Sequence, residues 1–166
     1  MENEDQNTKY QIPNTNQGFT IIELLVVVAI IGLLASVVVV ATGNARLKSR
    51  DAKRLTDIQQ IKSGLDLYFS HGSGFPSTVD WNTAQAAQGS ISCSGTVLLR
   101  VPQDPLNVGN PSYVYTYAQG GSALTGCGGS VYTTYYVQFT TEGGTAYGPA
   151  DTYYLSPNGI TTTAPF

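Results

Sequence analysis

Charge is scarce in this chain. Lys, Arg, Asp and Glu make up only 11% of its 166 residues, against about 25% in an ordinary soluble protein. The net charge is −3, which argues against a dedicated nucleic-acid binder with a broad basic face. Low charge combined with 42% hydrophobic residues also excludes disorder of the polar, highly charged kind. Histidine occurs once, as His71, and cysteine twice, so the usual zinc-ligand spacings are missing. From Leu67 to Phe166 the only charged side chains are Asp80, Arg100, Asp104, Glu142 and Asp151. A nucleophile with its base, paired carboxylates and a phosphate-binding loop are likewise not found. His71, flanked by glycine, reads as a helix cap or an exposed loop residue. No catalytic residue, no metal site and no cofactor is expected.

What the chain does have is a long apolar run. Leu24 to Ala41 are eighteen consecutive uncharged residues, about 27 Å as a helix at ~1.5 Å per residue. Phe19, Ile21 and Ile22 extend that length toward the ~30 Å hydrocarbon core of a membrane. A buried strand is never so long, and a water-soluble helix is not greasy on every face. The run is longer than the apolar part of a secretory signal, only Lys9 precedes it as a cation, and no clean small-x-small cleavage site follows. A plain uncleaved anchor fits its periodicity equally well. Such an anchor leaves Glu23 unexplained, because a carboxylate inside an apolar boundary needs a partner. No Lys, Arg or His lies within helical reach, so the partner is expected from another chain or from a charge made by processing.

Gly18-Phe19-Thr20-Ile21-Ile22-Glu23, followed at once by this run, resembles the processing signature of type IV pilins and type II secretion pseudopilins. The resemblance implies that a membrane prepilin peptidase cuts between Gly18 and Phe19 and that Phe19 is then N-methylated. It implies that Glu23 meets the new N-terminus of a neighbouring copy in a helical filament. Gly32 and Ser36, with Ala29 and Ala35 nearby, form a small-xxx-small face that lets helices approach closely, although small residues also occur in plain anchors. Where many relatives carry a helix-disturbing proline, this chain has Val40. Relatives also have short, basic leaders, whereas residues 1–18 hold Glu2, Glu4 and Asp5 against Lys9. Losing them would bring the net side-chain charge to −1, which favours stacking of many copies.

Arg46, Lys48, Arg50, Lys53 and Arg54 follow the run, with Asp51 as the one acid among them. The positive-inside bias would keep that collar in the cytoplasm; the resemblance implies the reverse, with the N-terminus inside. The collar reads as a solvated helix face; lipid headgroups and DNA are the other readings, and nothing else in the chain indicates nucleic acid. Leu47, Leu55, Ile58, Ile61, Leu65, Tyr68 and Phe69 recur at helical spacing, with Ala52 on their side. His71-Gly72-Ser73-Gly74 and Pro76 then stop the helix. Asn82–Gln88 reads as a short helix. Tyr113–Tyr117, Val131–Thr140 and Thr152–Leu155 read as three antiparallel strands. The Tyr113–Tyr117 tyrosines would share one face, as cross-strand packing or toward a ligand.

The fold class expected is thus α+β. A long N-terminal helix, half membrane-spanning and half amphipathic, packs on a small antiparallel β-sheet head, which is the pilin fold of the resembled family. The divisions are a removed leader over 1–18, a filament-core segment over 19–42, an amphipathic segment over 43–70 and a head over 71–166. Val101-Pro102-Gln103-Asp104-Pro105 also resembles a Pro-x-Asp-Pro stretch of the major pseudopilin. In that protein an acidic loop binds calcium, but Asp104, Glu142 and Asp151 lack the dense acidic spacing of such loops. Cys93 and Cys127, an even pair in a domain placed outside the membrane, favour a disulfide worth roughly 3–4 kcal/mol by loop closure, with free thiols as the alternative.

Two function classes follow. One is a structural subunit that polymerises after processing, with the peptidase-methyltransferase, the membrane assembly machinery, lipid and its own copies as partners. It would lie in the cytoplasmic membrane before assembly, and in an extracellular pilus or periplasmic pseudopilus afterwards. The other is a membrane-tethered binding or enzymatic domain that never polymerises.

Overall fold

The computed structural model describes residues 18–107 and 113–166. The leader expected over 1–18 therefore lies, except for Gly18, outside the described residues. The chain divides into two compact units, 1–41 and 42–166. Helix α1, Ile21–Gly72, contributes to both.

In the first unit, every described side chain from Gly18 to Val39 is exposed. Phe19 is 90% exposed and Ile21 86%. A helix of this hydropathy is long and apolar enough to cross a membrane, and among the described residues its side chains from Gly18 to Val39 are left exposed.

In the second unit the remainder of α1 lies against a β-rich head. Helix α2, Thr78–Ala86, starts at Ser77, whose hydroxyl accepts the Asp80 N–H while the Asp80 carboxylate accepts the Ser77 N–H. This capping box starts the helix four residues before the Asn82 expected from sequence. Strands β1 (Ser90–Cys93) and β2 (Thr96–Arg100) form a hairpin that the sequence reading missed. Strands β3 (Thr116–Gly126), β4 (Gly129–Thr140), β5 (Thr152–Ser156) and β6 (Gly159–Thr161) form one antiparallel sheet in that order. The expected strand over Tyr113–Tyr117 is displaced: β3 begins at Thr116, and Tyr113 and Tyr115 precede it.

Register explains which side chains face inward. Tyr117 pairs with Val137, Val137 with Leu155 and Leu155 with Ile160, so one row crosses the whole sheet. Period-two alternation puts this row on a single face. It joins Ile58, Ile61, Leu65 and Tyr68 of α1 in the core. Trp81 of α2 is fully buried and stacks on Tyr117, with ring centroids 4.9 Å apart. The hairpin approaches α1 at Gly64, where an added Cβ would sit 2.5 Å from a Leu99 methyl. Phe69 and Ala52, expected on the packed stripe, are instead exposed.

The helix stop also works differently from the sequence reading. Ser73, not a glycine, takes the left-handed conformation at φ 58°, and its N–H returns to the Phe69 carbonyl at 2.8 Å. This is the C-terminal arrangement that usually recruits glycine. Gly72 and Gly74 are instead needed for close packing, since a Cβ at either would run into Cys127 Sγ or Val131. His71 lies exposed in the last turn of α1, with its Nδ1 2.9 Å from the Leu67 carbonyl oxygen.

Candidate functional site

At the start of α1, Thr20 and Glu23 form a second capping box. The Glu23 N–H donates to Thr20 Oγ1 at 3.2 Å, and the Thr20 N–H and hydroxyl donate to Glu23 Oε2 at 3.3 and 3.2 Å. Thr20 thereby satisfies one of the orphan N–H groups of the first turn. The carboxylate sits where the helix dipole favours negative charge. Sequence reasoning treated Glu23 as lacking any partner within its own chain. The Thr-x-x-Glu spacing before an apolar run was the missed signal, and it supplies hydrogen bonds but no counter-charge. Glu23 is thus held four residues beyond Phe19 by its bonds to Thr20, on an exposed helix end.

Further along, beyond its own turn of helix Gly32 has no atom of the described residues within 4 Å of where a Cβ would be. The Ser36 hydroxyl donates to the Leu33 carbonyl of its own helix at 2.7 Å, so the small-residue face carries no polar group seeking a partner.

The second constellation lies in the head. Arg54 is fully buried, contrary to the reading of the basic collar as a solvated face. Its Nε and Nη2 donate to Asp104 at 2.5 and 3.0 Å, and its Nη1 donates to Asp51 and Glu142 at 2.7 Å each. The Tyr113 ring covers the guanidinium, 4.6 Å from centroid to carbon. Arg50 adds a forked pair to Glu142 at 2.7 and 2.5 Å. Asp51 also accepts the Glu142 and Gly143 backbone N–H groups at 3.0 and 2.7 Å, and Asp104 accepts that of Leu106 at 2.8 Å. One turn on, buried Asp57 is held by Lys53 at 3.0 Å and by the Tyr115 hydroxyl at 3.0 Å. Arg46 and Lys48 remain exposed.

Electrostatics follow this geometry. Burial alone would push the Arg54 guanidinium down, but hydrogen bonds to Asp104, Glu142 and Asp51 reverse that and leave it above its ordinary value. The Arg50 hydrogen bond, helped by Arg54 and opposed by burial, holds the Glu142 carboxyl below the usual carboxylate range. Burial, followed by the charge of Asp57, raises the Tyr115 hydroxyl. The knot ties residues 101–107 and the turn after β4 to α1. Asp151, grouped with Asp104 and Glu142 from sequence, stands apart: it is exposed, and its carboxylate accepts the Thr152 N–H at 2.7 Å.

Cys93 and Cys127 are joined as a disulfide between β1 and the turn linking β3 to β4. That turn, Cys127-Gly128, has φ of 50° and 81°, the paired left-handed conformations of a tight hairpin.

These features agree with the comparisons. Residues 13–39 match the model of the prokaryotic N-terminal methylation motif. The type II secretion system core protein G of Pectobacterium carotovorum subsp. carotovorum is 30% identical over 135 residues, covering 73% of this chain and 86% of that protein. The protein of the same name from Aeromonas hydrophila is 33% identical over 111 residues, 63% of this chain and 76% of that one. The Vibrio cholerae protein is 41% identical over 61 residues, 37% and 42% of the two chains. No solved structure matches significantly. With its methylation motif, its apolar helix and its small antiparallel head, the chain belongs to the family of type IV pilins and pseudopilins, structural filament subunits that include the type II secretion system core protein G.

Proposed function

We propose that the chain is a pseudopilus subunit that polymerises after a membrane peptidase cuts between Gly18 and Phe19. The observation that carries this reading is Glu23 in its capping box, at the head of a helix whose apolar side chains are exposed among the described residues. Before cleavage the Phe19 nitrogen is a neutral amide. Cleavage makes it a cation, and N-methylation keeps it one. In an apolar bundle, the charged carboxylate of one copy and the ammonium of an axially staggered neighbour attract strongly. The capping bonds keep Glu23 hydrogen-bonded while it waits, lowering the cost of leaving it ionised at the membrane edge. Gly32 gives neighbouring helices a close approach.

The divisions of the chain acquire roles on this reading. Residues 1–18 are the leader, 19–42 the filament core, 43–70 the helix that carries the head, and 71–166 the surface. The subunit starts in the cytoplasmic membrane with its N-terminus inside. The relatives' names, which place them in a type II secretion system, favour a secretion pseudopilus, which would stand in the periplasm, over a surface pilus. It acts through assembly and disassembly, without chemistry of its own. Glu23→Leu tests the proposal: the variant is expected to be processed and membrane-resident, yet to give no filaments on electron microscopy of shear fractions. Normal filaments from that variant would overturn it.

A further inference from the structure

Asp104 and Glu142 of the head converge with Asp51 of α1 on one guanidinium, and this bears on how the head is held closed. A calcium ion takes six to eight oxygen ligands with lone pairs to spare. Each of the three carboxylates that meet here already accepts three N–H groups, which leaves one of its roughly four lone-pair sites. Both oxygens of Asp104 are taken by Arg54, one of them also by the Leu106 N–H. Those of Asp51 are taken by Arg54 and by the Glu142 and Gly143 N–H groups. Those of Glu142 are taken by Arg50 and Arg54. Asp151 points elsewhere and is exposed. The calcium-loop chemistry of the resembled family therefore does not fit these residues.

We infer that Arg54 is the built-in cation of this head, closing residues 101–107 and the turn after β4 onto α1 in place of a bound divalent metal. A planar guanidinium suits the role. Its donors fan out in one plane and reach three carboxylates from different chain segments at once, while its face is covered by Tyr113. With Arg50 beside it, two positive charges meet three negative ones inside the knot. An added divalent ion would have to expel a wholly buried side chain held by four hydrogen bonds. The subunit is thus folded and ready to assemble at any calcium level. This rests on the knot's geometry alone, and because it is read on unpolymerised subunits, its failure is separable from failure of the filament proposal.

The test is made on the full chain extracted in detergent, with calcium chloride or EGTA as the probe. Calorimetric titration is expected to show no saturable calcium binding up to about 1 mM, the range of extracellular calcium modules. Melting followed by circular dichroism should agree within about 1 °C between calcium and EGTA. A saturating calcium-dependent rise of several degrees would overturn the inference. Arg54→Gln is expected to lower the melting temperature by about 8–15 °C, because it strands buried carboxylates; an unchanged melt would also overturn it. Should that variant fail to fold, the wild-type calcium comparison still decides.

Discussion

Removing the Cys93–Cys127 bridge gives a prediction whose size can be worked from the chain itself. The two residues are 34 apart in sequence, and closing a loop of that length removes about 4 kcal/mol of unfolded-state entropy. For a domain of this size, each kcal/mol moves the melting temperature by about 3 °C. The Cys93→Ala/Cys127→Ala pair should therefore melt about 10–13 °C lower. Reduction of the wild-type protein should reproduce most of that drop. Circular dichroism of the detergent-extracted chain reads both. A second layer tests the contact and not only the loop. A Cβ at Gly72 would sit 2.2 Å from Cys127 Sγ, so Gly72→Ala should be costly in the bridged protein and much less so in the alanine pair. Such coupling is what a double-mutant cycle measures. A drop under about 3 °C on losing the bridge, or additive effects of the two changes, would refute the reasoning.

Two other tests use single side chains. Among the described residues the buried Tyr135 hydroxyl has no hydrogen-bond partner, whereas that of Tyr117 donates to the Pro76 carbonyl at 2.7 Å. Tyr135→Phe should gain about 1 kcal/mol in urea unfolding and Tyr117→Phe should lose about 1 kcal/mol; equal effects would contradict the packing described. The pH dependence follows from Glu142, whose depressed folded value favours the ionised form. Its contribution is complete above the ordinary carboxyl value of 4.5 and is lost as pH falls through the lower folded value. Stability should hold steady near neutrality and decline below pH 4.5. Glu142→Gln should start less stable and decline more shallowly, as read by melting across a pH series.

The features legible in the sequence were the local ones. The apolar run, the Gly18–Glu23 motif and the α1 stripe at Ile58, Ile61 and Leu65 announce themselves within a few turns of helix. The knot could not be seen this way. Arg54 meets Asp104 and Glu142 from 50 and 88 residues away, so its burial leaves no local trace. By pattern alone, an arginine among four other cations looks solvated. The β1–β2 hairpin did carry a signal: Ser94-Gly95 has φ of 49° and 84°, the tight hairpin turn that glycine favours. Its serine-rich strands hid the alternation of Ile91 and Cys93. Helix α2 likewise had a readable start in Ser77-x-x-Asp80, overshadowed by the proline just before it.

The central claim is that proteolysis creates the cation that Glu23 lacks in its own chain. The most direct measurement is the intact mass and N-terminal sequence of the native membrane-extracted protein. The account requires a chain that begins at methylated Phe19. Native protein that retains Gly18 and the residues before it would contradict the account and leave a plain tethered domain.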